Sequence, residues 1–338
     1  MKIKSYQSFG VTQKIMSDLA GVNPSTINKI VSSGDYCPID DNAHRNIRYS
    51  ISDTRKIIKK ASKDSSEKKS NMCFYNFKGG VGKTSLCFQV SSHLALMGYS
   101  VLAIDGDPQG HLSTSFGFNT DGKFLTLYDV IAKDVPIKEA IVNIYEGLDC
   151  LPSNIALTRL EPALNELPKR EERVSIALSS VQDSYDFIIF DTNPTISHIN
   201  RNIISFTDLI NIVVETQAYS LNGLKLLIND LEKFFKSMVM RKPELLIIPN
   251  RYEERTAASG EAMGVLREHY RQFVMPDFAI RKSEDFNTSA KNSEPLAFFC
   301  RSNSIAFEDL NEVLKYILEK TTSNIPPRPR REGEIANG

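Results

Sequence analysis

The stretch Lys78-Gly79-Gly80-Val81-Gly82-Lys83-Thr84-Ser85 constrains this chain more than any other. It asks for a strand, a tight turn and a helix in succession, the geometry in which consecutive backbone N–H groups converge on one anion. Glycines at 79, 80 and 82 carry no Cβ to block φ > 0 or close approach. The helix expected from about Gly82 aims its positive dipole end at the same point. The usual phosphate loop, G-x-x-x-x-G-K-[ST], is only half present. Gly82, Lys83 and Thr84 complete it, but Phe77 stands where its first glycine belongs. Lys78 followed by Gly79 and Gly80 gives the variant K-G-G-x-G-K-T. By its chemistry Lys83 bridges β- and γ-phosphate oxygens of ATP or binds ADP, and the Thr84 hydroxyl enters a Mg2+ shell. Lys78 stands too early in the loop to serve that nucleotide in the usual way.

The flanks agree. Met72 to Phe77 is an apolar run of strand length, and Leu86, Val90, Leu94 and Met97 recur at helical spacing before Gly98, a C-cap residue. At this point the chain resembles the ParA/MinD family of deviant Walker-type ATPases. The resemblance implies a homodimer closed around ATP, in which Lys78 is catalytic and reaches the phosphates bound by the other subunit.

Composition sets the bounds. The chain has 338 residues, 41% apolar and 24% charged, and five cysteines without a C-x-x-C pair, which read as buried thiols of a reducing cytoplasm. No run approaches the ~18 apolar residues of a membrane span, and the N-terminus does not read as a signal peptide. Zero net charge hides an asymmetry: residues 1–70 hold thirteen Lys/Arg against seven Asp/Glu, while the middle of the chain is acidic. A basic front end points to a polyanionic partner.

Four segments follow. Residues 1–60 carry a helix-turn-helix pattern: Val11, Ile15, Leu19 and Ala20 at helical spacing, a break at Gly21, then Asn23 capping a helix with Pro24 in its first turn. Ile27, Ile30 and Val31 give that helix an inner face, leaving Ser25, Thr26, Asn28 and Lys29 outward as side chains suited to DNA. Gly34 to Ser50, with Arg48, reads as a wing. Ile51 to Lys60 reads as a third helix, capped by Ser52 or Asp53, with Arg55, Lys56, Lys59 and Lys60 exposed. The arrangement resembles the winged or MerR-like N-terminal domain of the larger plasmid-partition ParA proteins, which implies operator binding and autorepression. Residues 61–71 read as a flexible polar linker. Residues 72–320 alternate strands (72–77, 100–105, 148–152, 186–190, 209–215, 245–249) with helices (84–97, 170–182, 221–239, 259–271, 305–319). This predicts an α/β domain with a mostly parallel, doubly wound sheet. Residues 321–338, rich in Pro and Arg, read as a disordered tail.

The remaining site residues fall at expected strand ends. Asp105-Gly106-Asp107-Pro108-Gln109-Gly110 resembles the family's second motif, with His111 in place of its Asn. By that match Asp107 orients the attacking water, and Asp105 stands behind the metal shell. Asp186 to Asp191 reads as the Walker B strand, with Asp191 holding magnesium through water. The family continues D-x-P-P, whereas this chain has Thr192-Asn193-Pro194. Asn250, after the last strand, is open to two readings, a contact with the adenine edge or a turn residue. The region 267–291 offers Arg267, Arg271, Arg281 and Lys282 as a patch for DNA of any sequence, with acidic neighbours that keep its charge nearly balanced.

The resemblance therefore implies a DNA-segregation ATPase with a ParB-like partner, associated with the nucleoid. A MinD-like membrane regulator would need an apolar amphipathic end, where this chain has Pro326-Pro327-Arg328-Pro329-Arg330-Arg331. An iron-protein reductase would need thiolates that Cys87 and Cys150 do not place as expected, while an ATP-dependent ligase on the same fold is a further alternative. A repressor with a vestigial ATPase fits poorly with Lys78, Lys83, Asp107 and Asp191 retained together.

Overall fold

The computed structural model describes residues 5–6, 8–39, 47–62, 68–119, 121–275 and 278–322. Residues 63–67 of the expected linker and 323–338 of the expected tail lie outside them, while Ala61 ends a helix, Ser70 opens a strand and Thr322 closes the last helix.

Seven strands build the main sheet: β3 (Ser70–Tyr75), β4 (Val101–Gly106), β5 (Val142–Tyr145), β6 (Leu148–Leu151), β7 (Phe187–Thr192), β8 (Leu209–Glu215) and β9 (Glu244–Asn250). Their order is β5-β6-β4-β7-β3-β8-β9, and every neighbouring pair is parallel except β5 with β6. Strand alternation divides the interior in two. Met72 and Phe74 of β3 join the core on one face, and Cys73 and Tyr75 join the core on the other. Both faces are covered, so the strands read as unbroken apolar runs. This is the mostly parallel doubly wound sheet that the alternation predicted.

The expected strands appear with bounds moved by at most two residues. The expected helix 170–182 does not form as one piece. It breaks into a 3-10 turn at Arg170–Glu172, a helix Arg173–Leu178 and a second 3-10 turn at Gln182–Ser184. Ser179 Oγ donates to the Ile176 carbonyl at 2.7 Å, an alternative partner for a group the helix would otherwise use.

At the N-terminus, β1 (Gly10–Thr12) pairs antiparallel with β2 (Arg48–Ser50). Helices α1 (Gln13–Ala20) and α2 (Pro24–Ser32) meet at Gly21, whose φ of 63° lies in the left-handed region, and Asn23 caps α2 by accepting from Ser25 N. α3 (Ile51–Ala61) begins at Ile51 as expected, but its cap is Ser50, which accepts from Asp53 N, and not Ser52 or Asp53. Residues 40–46 of the expected wing lie outside the described residues.

These N-terminal elements share one continuous apolar core with a face of the large sheet. Tyr6 meets Tyr145 edge-on and Phe298 at a tilt, Phe9 meets Phe298 at a tilt, and Asn311 Nδ2 donates to Asp18 O at 2.8 Å. α3 packs on α4 (Lys83–Leu96), the helix that follows the glycine loop. Arg55 was expected in solvent and is instead largely buried. Its Nη1 donates to the carbonyls of Ala95 and Tyr99, and its Nη2 to that of Gly98. A cation thereby caps the negative end of α4.

α4 is buried almost all round, which makes its polar residues informative. His93 Nδ1 lies 2.7 Å from Gln89 O, and its Nε2 accepts from Ala297 N at 3.2 Å. Only the neutral ring fits both. Burial lowers its pKa to about 4, with the Gln89 contact opposing. The unfolded chain therefore takes up this proton first as pH falls from ~6.5. Stability from His93 is present above that pH and is lost toward pH 4. Chemical unfolding of wild type and His93→Gln should show a difference in stability that shrinks by about 3 kcal/mol across this window. A constant difference would contradict the assignment.

Candidate nucleotide site

The carboxyl ends of β4, β7 and β3 lie side by side in the sheet, and the glycine loop leaves from the last of them. Asn76 anchors the loop: its Nδ2 donates to Val213 O at 2.6 Å, and its Oδ1 accepts from Lys78 N at 3.0 Å. Gly80 and Gly82 take φ of 74° and 101°, conformations that an L side chain resists. Asn250 lies beneath them. Its Nδ2 donates to Val81 O at 2.8 Å, and a Cβ on Gly82 would stand 2.3 Å from that nitrogen. This amide, considered from sequence for a base edge or a turn, is in contact with the phosphate loop.

Lys83 opens α4 and is only 6% exposed, with Nζ donating to Lys78 O at 3.3 Å. Burial lowers its pKa, while Asp191 and Asp107 act to raise it. Thr84 Oγ1 donates to Asp191 Oδ2 at 2.6 Å. Asp191 is fully buried, and its Oδ1 has no hydrogen-bond partner among the described residues. Burial first, and then the Asp105 carboxyl beside it in register, push its pKa well up. A hydroxyl and an unsatisfied carboxylate oxygen at the mouth of an anion cradle suit a hard cation such as magnesium. Thr84 and Asp191 are the residues that would hold it.

Asp105, expected behind the metal shell, has both oxygens on protein donors. Oδ1 accepts from Asp107 N at 3.1 Å, and Oδ2 accepts from Ser113 N and Oγ at 2.8 and 2.7 Å. Burial raises its pKa to about 6 against the pull of those bonds. Its task is to fold the turn that presents Asp107. Asp107 Oδ1 in turn accepts from Gln109 N at 2.9 Å. After β7, Asn193 accepts from Thr195 and from Asn200 Nδ2, so the altered loop is held by an asparagine pair. Glu161 caps the helix His198–Phe206 by accepting from His198 N and Ile199 N.

Lys78 is set apart from this constellation. Its side chain is 44% exposed, and its Nζ lies 2.7 Å from Glu215 Oε2, while Arg251 Nη1 lies 3.3 Å from Oε1 of the same carboxylate. Burial would raise the Glu215 pKa, but the two cations outweigh it and hold it down.

The residues expected to touch DNA scatter. Ser25, Asn28 and Lys29 are exposed on α2 and Thr26 is half-buried, with Ser25 also serving the cap. Arg48 turns inward, to the carbonyls of Gly10 and Phe298. Arg281 is held by Asp309 at 2.6 Å, and Lys282 by Glu253 at 3.0 Å, whereas Arg267 and Arg271 are exposed. The inward pull on Arg48 and Arg281 comes from partners distant in sequence. A cavity of about 1060 Å3 lies away from the glycine loop, between α1 and the helices Ala257–Tyr270 and Ile305–Thr322. Its wall mixes Lys14, Arg267 and Lys315 with Asp18, Glu254 and Glu312, so it selects no ligand by charge.

A family model described as an AAA domain matches residues 69–245, which spans the loop, both carboxylate motifs and the strand that follows. The cell division protein PomZ of Myxococcus xanthus is 30% identical over 248 residues, covering 73% of this chain and 77% of PomZ. The chain belongs to the ParA/MinD family of deviant Walker-type ATPases. A second family member, the chromosome partitioning protein ParA of Caulobacter vibrioides, is 29% identical over 198 residues, 58% of this chain and 74% of that protein. The fold is also that of a Cyanothece McdA variant in its ATP complex, with a TM-score of 0.67 at 21% identity over 75% of this chain and 98% of McdA.

Sequence reading missed Asn76, Glu161 and Glu215, because each acts on a residue remote in sequence, and also Ser113 and Asn200, which fold back on Asp105 and Asn193 within the same loop region. In a family member built this way, the Gly82 backbone and Asn250 are one unit. Gly82→Ala combines a strained φ with a clash, together about 1–3 kcal/mol, so ATP affinity should fall roughly 5- to 150-fold. Titration with a fluorescent ATP analogue checks this, and unchanged affinity would contradict it.

Proposed function

We infer that this chain is a ParA-type ATPase of DNA segregation that cycles between a monomer and an ATP-closed homodimer. The observation that carries the reading is the division of labour between two lysines. Lys83 is buried inside its own cradle, while Lys78 projects out of it on an exposed side chain. An exposed ammonium on the loop, seated on Glu215 at the end of the neighbouring strand, suits a nucleotide bound by a second copy.

In the proposed cycle the glycine-loop amides and Lys83 bind the triphosphate, and Ser85 lies at the same helix terminus. Magnesium, when bound, neutralises charge on the β- and γ-phosphates. Thr84 and Asp191 are the residues that would hold it. Asp107, presented by the Asp105–Ser113 bonds, accepts a hydrogen bond from the attacking water and orients it. Lys78 from the opposite subunit stabilises charge developing on the γ-phosphate. Asn250 keeps the loop in register beneath the nucleotide.

The closed dimer would hold duplex DNA of any sequence through the side that carries Arg267, Arg271 and Lys282. A centromere-binding, ParB-like protein would speed hydrolysis and release. The exposed edge of α2, with Ser25, Thr26, Asn28 and Lys29, would bind the operator, so that the protein represses its own operon from the nucleoid.

Sedimentation with random duplex DNA under ADP, ATP or no nucleotide tests the reading. Wild type should pellet with DNA only with ATP, and Lys83→Ala should lose this at least tenfold. ATP-dependent DNA binding that survives Lys83→Ala would refute it.

A further inference from the structure

The Lys78–Glu215 pair joins a residue of the glycine loop to the end of β8, and nothing in the cycle above uses Glu215. The pair is well defined at both ends. Lys78 has its backbone N–H fixed on Asn76 Oδ1. Glu215 is the last residue of β8, with a side chain 13% exposed. Each of its oxygens meets one cation: Oε2 faces Lys78 Nζ at 2.7 Å and Oε1 faces Arg251 Nη1 at 3.3 Å. Arg251 is fixed in turn. Its φ is 56°, and its N–H donates to Asn250 Oδ1, the amide that also holds Val81 O.

We propose that Glu215 is a positioning residue that stores Lys78 in the monomer, and that Lys78 must leave this carboxylate to reach the nucleotide of a partner subunit. The inference rests on the sandwich-dimer reading. Arg251 makes the transfer feasible. Without it, departure of Lys78 would strand a mostly buried carboxylate, whereas with it the carboxylate keeps one counter-ion throughout. Glu215 and Arg251 therefore act with opposite signs on closure.

Magnitudes are modest, because the lysine is partly solvated. Partly exposed ion pairs of this kind correspond to about two- to five-fold in an equilibrium constant. Closing one dimer releases two such pairs, so the effect is squared, to roughly 4- to 25-fold.

The test is dimer dissociation measured by analytical ultracentrifugation with magnesium and adenylyl imidodiphosphate. The set is wild type, Glu215→Gln, Arg251→Gln and Lys78→Ala. The proposal expects Glu215→Gln to dimerise more tightly by that factor, Arg251→Gln more weakly, and Lys78→Ala not at all. A residue that merely supports the fold would weaken dimerisation in both glutamine variants, so opposite signs separate storage from support. If Glu215→Gln does not fold, Arg251→Gln decides alone, since unchanged or tighter association overturns the proposal. If Lys78→Ala abolishes dimers but Glu215→Gln leaves them unchanged or weaker, Glu215 does not store the lysine and the sandwich stands. If wild type stays monomeric, or Lys78→Ala dimerises like wild type, the sandwich itself falls, and the proposal with it.

Discussion

An ammonium and two carboxylates enclosed at the carboxyl-end edge of the central strands of a mostly parallel sheet set the terms for the rest of the molecule. Lys83, Asp105 and Asp191 all lie in the interior. Charges there are tolerated only when paired or hydrogen-bonded. Asp105 is satisfied by Ser113 and by the turn to Asp107. Asp191 is satisfied only in part, through Thr84. Lys83 has a backbone carbonyl as its hydrogen-bond acceptor and carboxylates nearby. A triphosphate with a divalent cation supplies what this arrangement lacks: anionic oxygens for Lys83 and a cation for Asp191. The same desolvation that destabilises the empty site strengthens every electrostatic contact once it is filled.

The scaffold keeps that edge fixed. Asn76 and Asn250 fasten the glycine loop from two sides. α4 runs from the loop to Arg55, which closes its far end. Arg55 thereby bonds α3 to the same rod whose first turn carries Lys83 and Thr84. Lys78 lies outside this enclosure, at the surface, with Glu215 as its counter-ion. Two lysines of identical chemistry are thus set apart, one enclosed and one at the surface on a carboxylate.

Much of this was legible in the sequence because it is local. The glycine spacing fixes the loop, and apolar runs ending in carboxylates fix β4 and β7. What escaped is tertiary. The helix His198–Phe206 was missed because Asn200 and Asn202 interrupt its apolar stripe, and both are buried to bond a loop and a distant carbonyl. Arg55 reads as solvent-exposed on a basic helix until the end of α4 is placed against it. Nothing next to Glu215 in the sequence points to Lys78, and only the juxtaposition of β8 with β3 brings the two together. The reverse error has the same root: Arg48 and Arg281 look like surface cations, but distant acceptors pull them in.

The most direct measurement is the structure of the Asp107→Ala chain crystallised with ATP and magnesium, a variant in which the account expects turnover to be blocked. The account predicts a two-fold pair with Lys78 Nζ on the phosphates of the opposite nucleotide and Glu215 left to Arg251. A nucleotide-filled monomer with Lys78 still seated on Glu215 would contradict it.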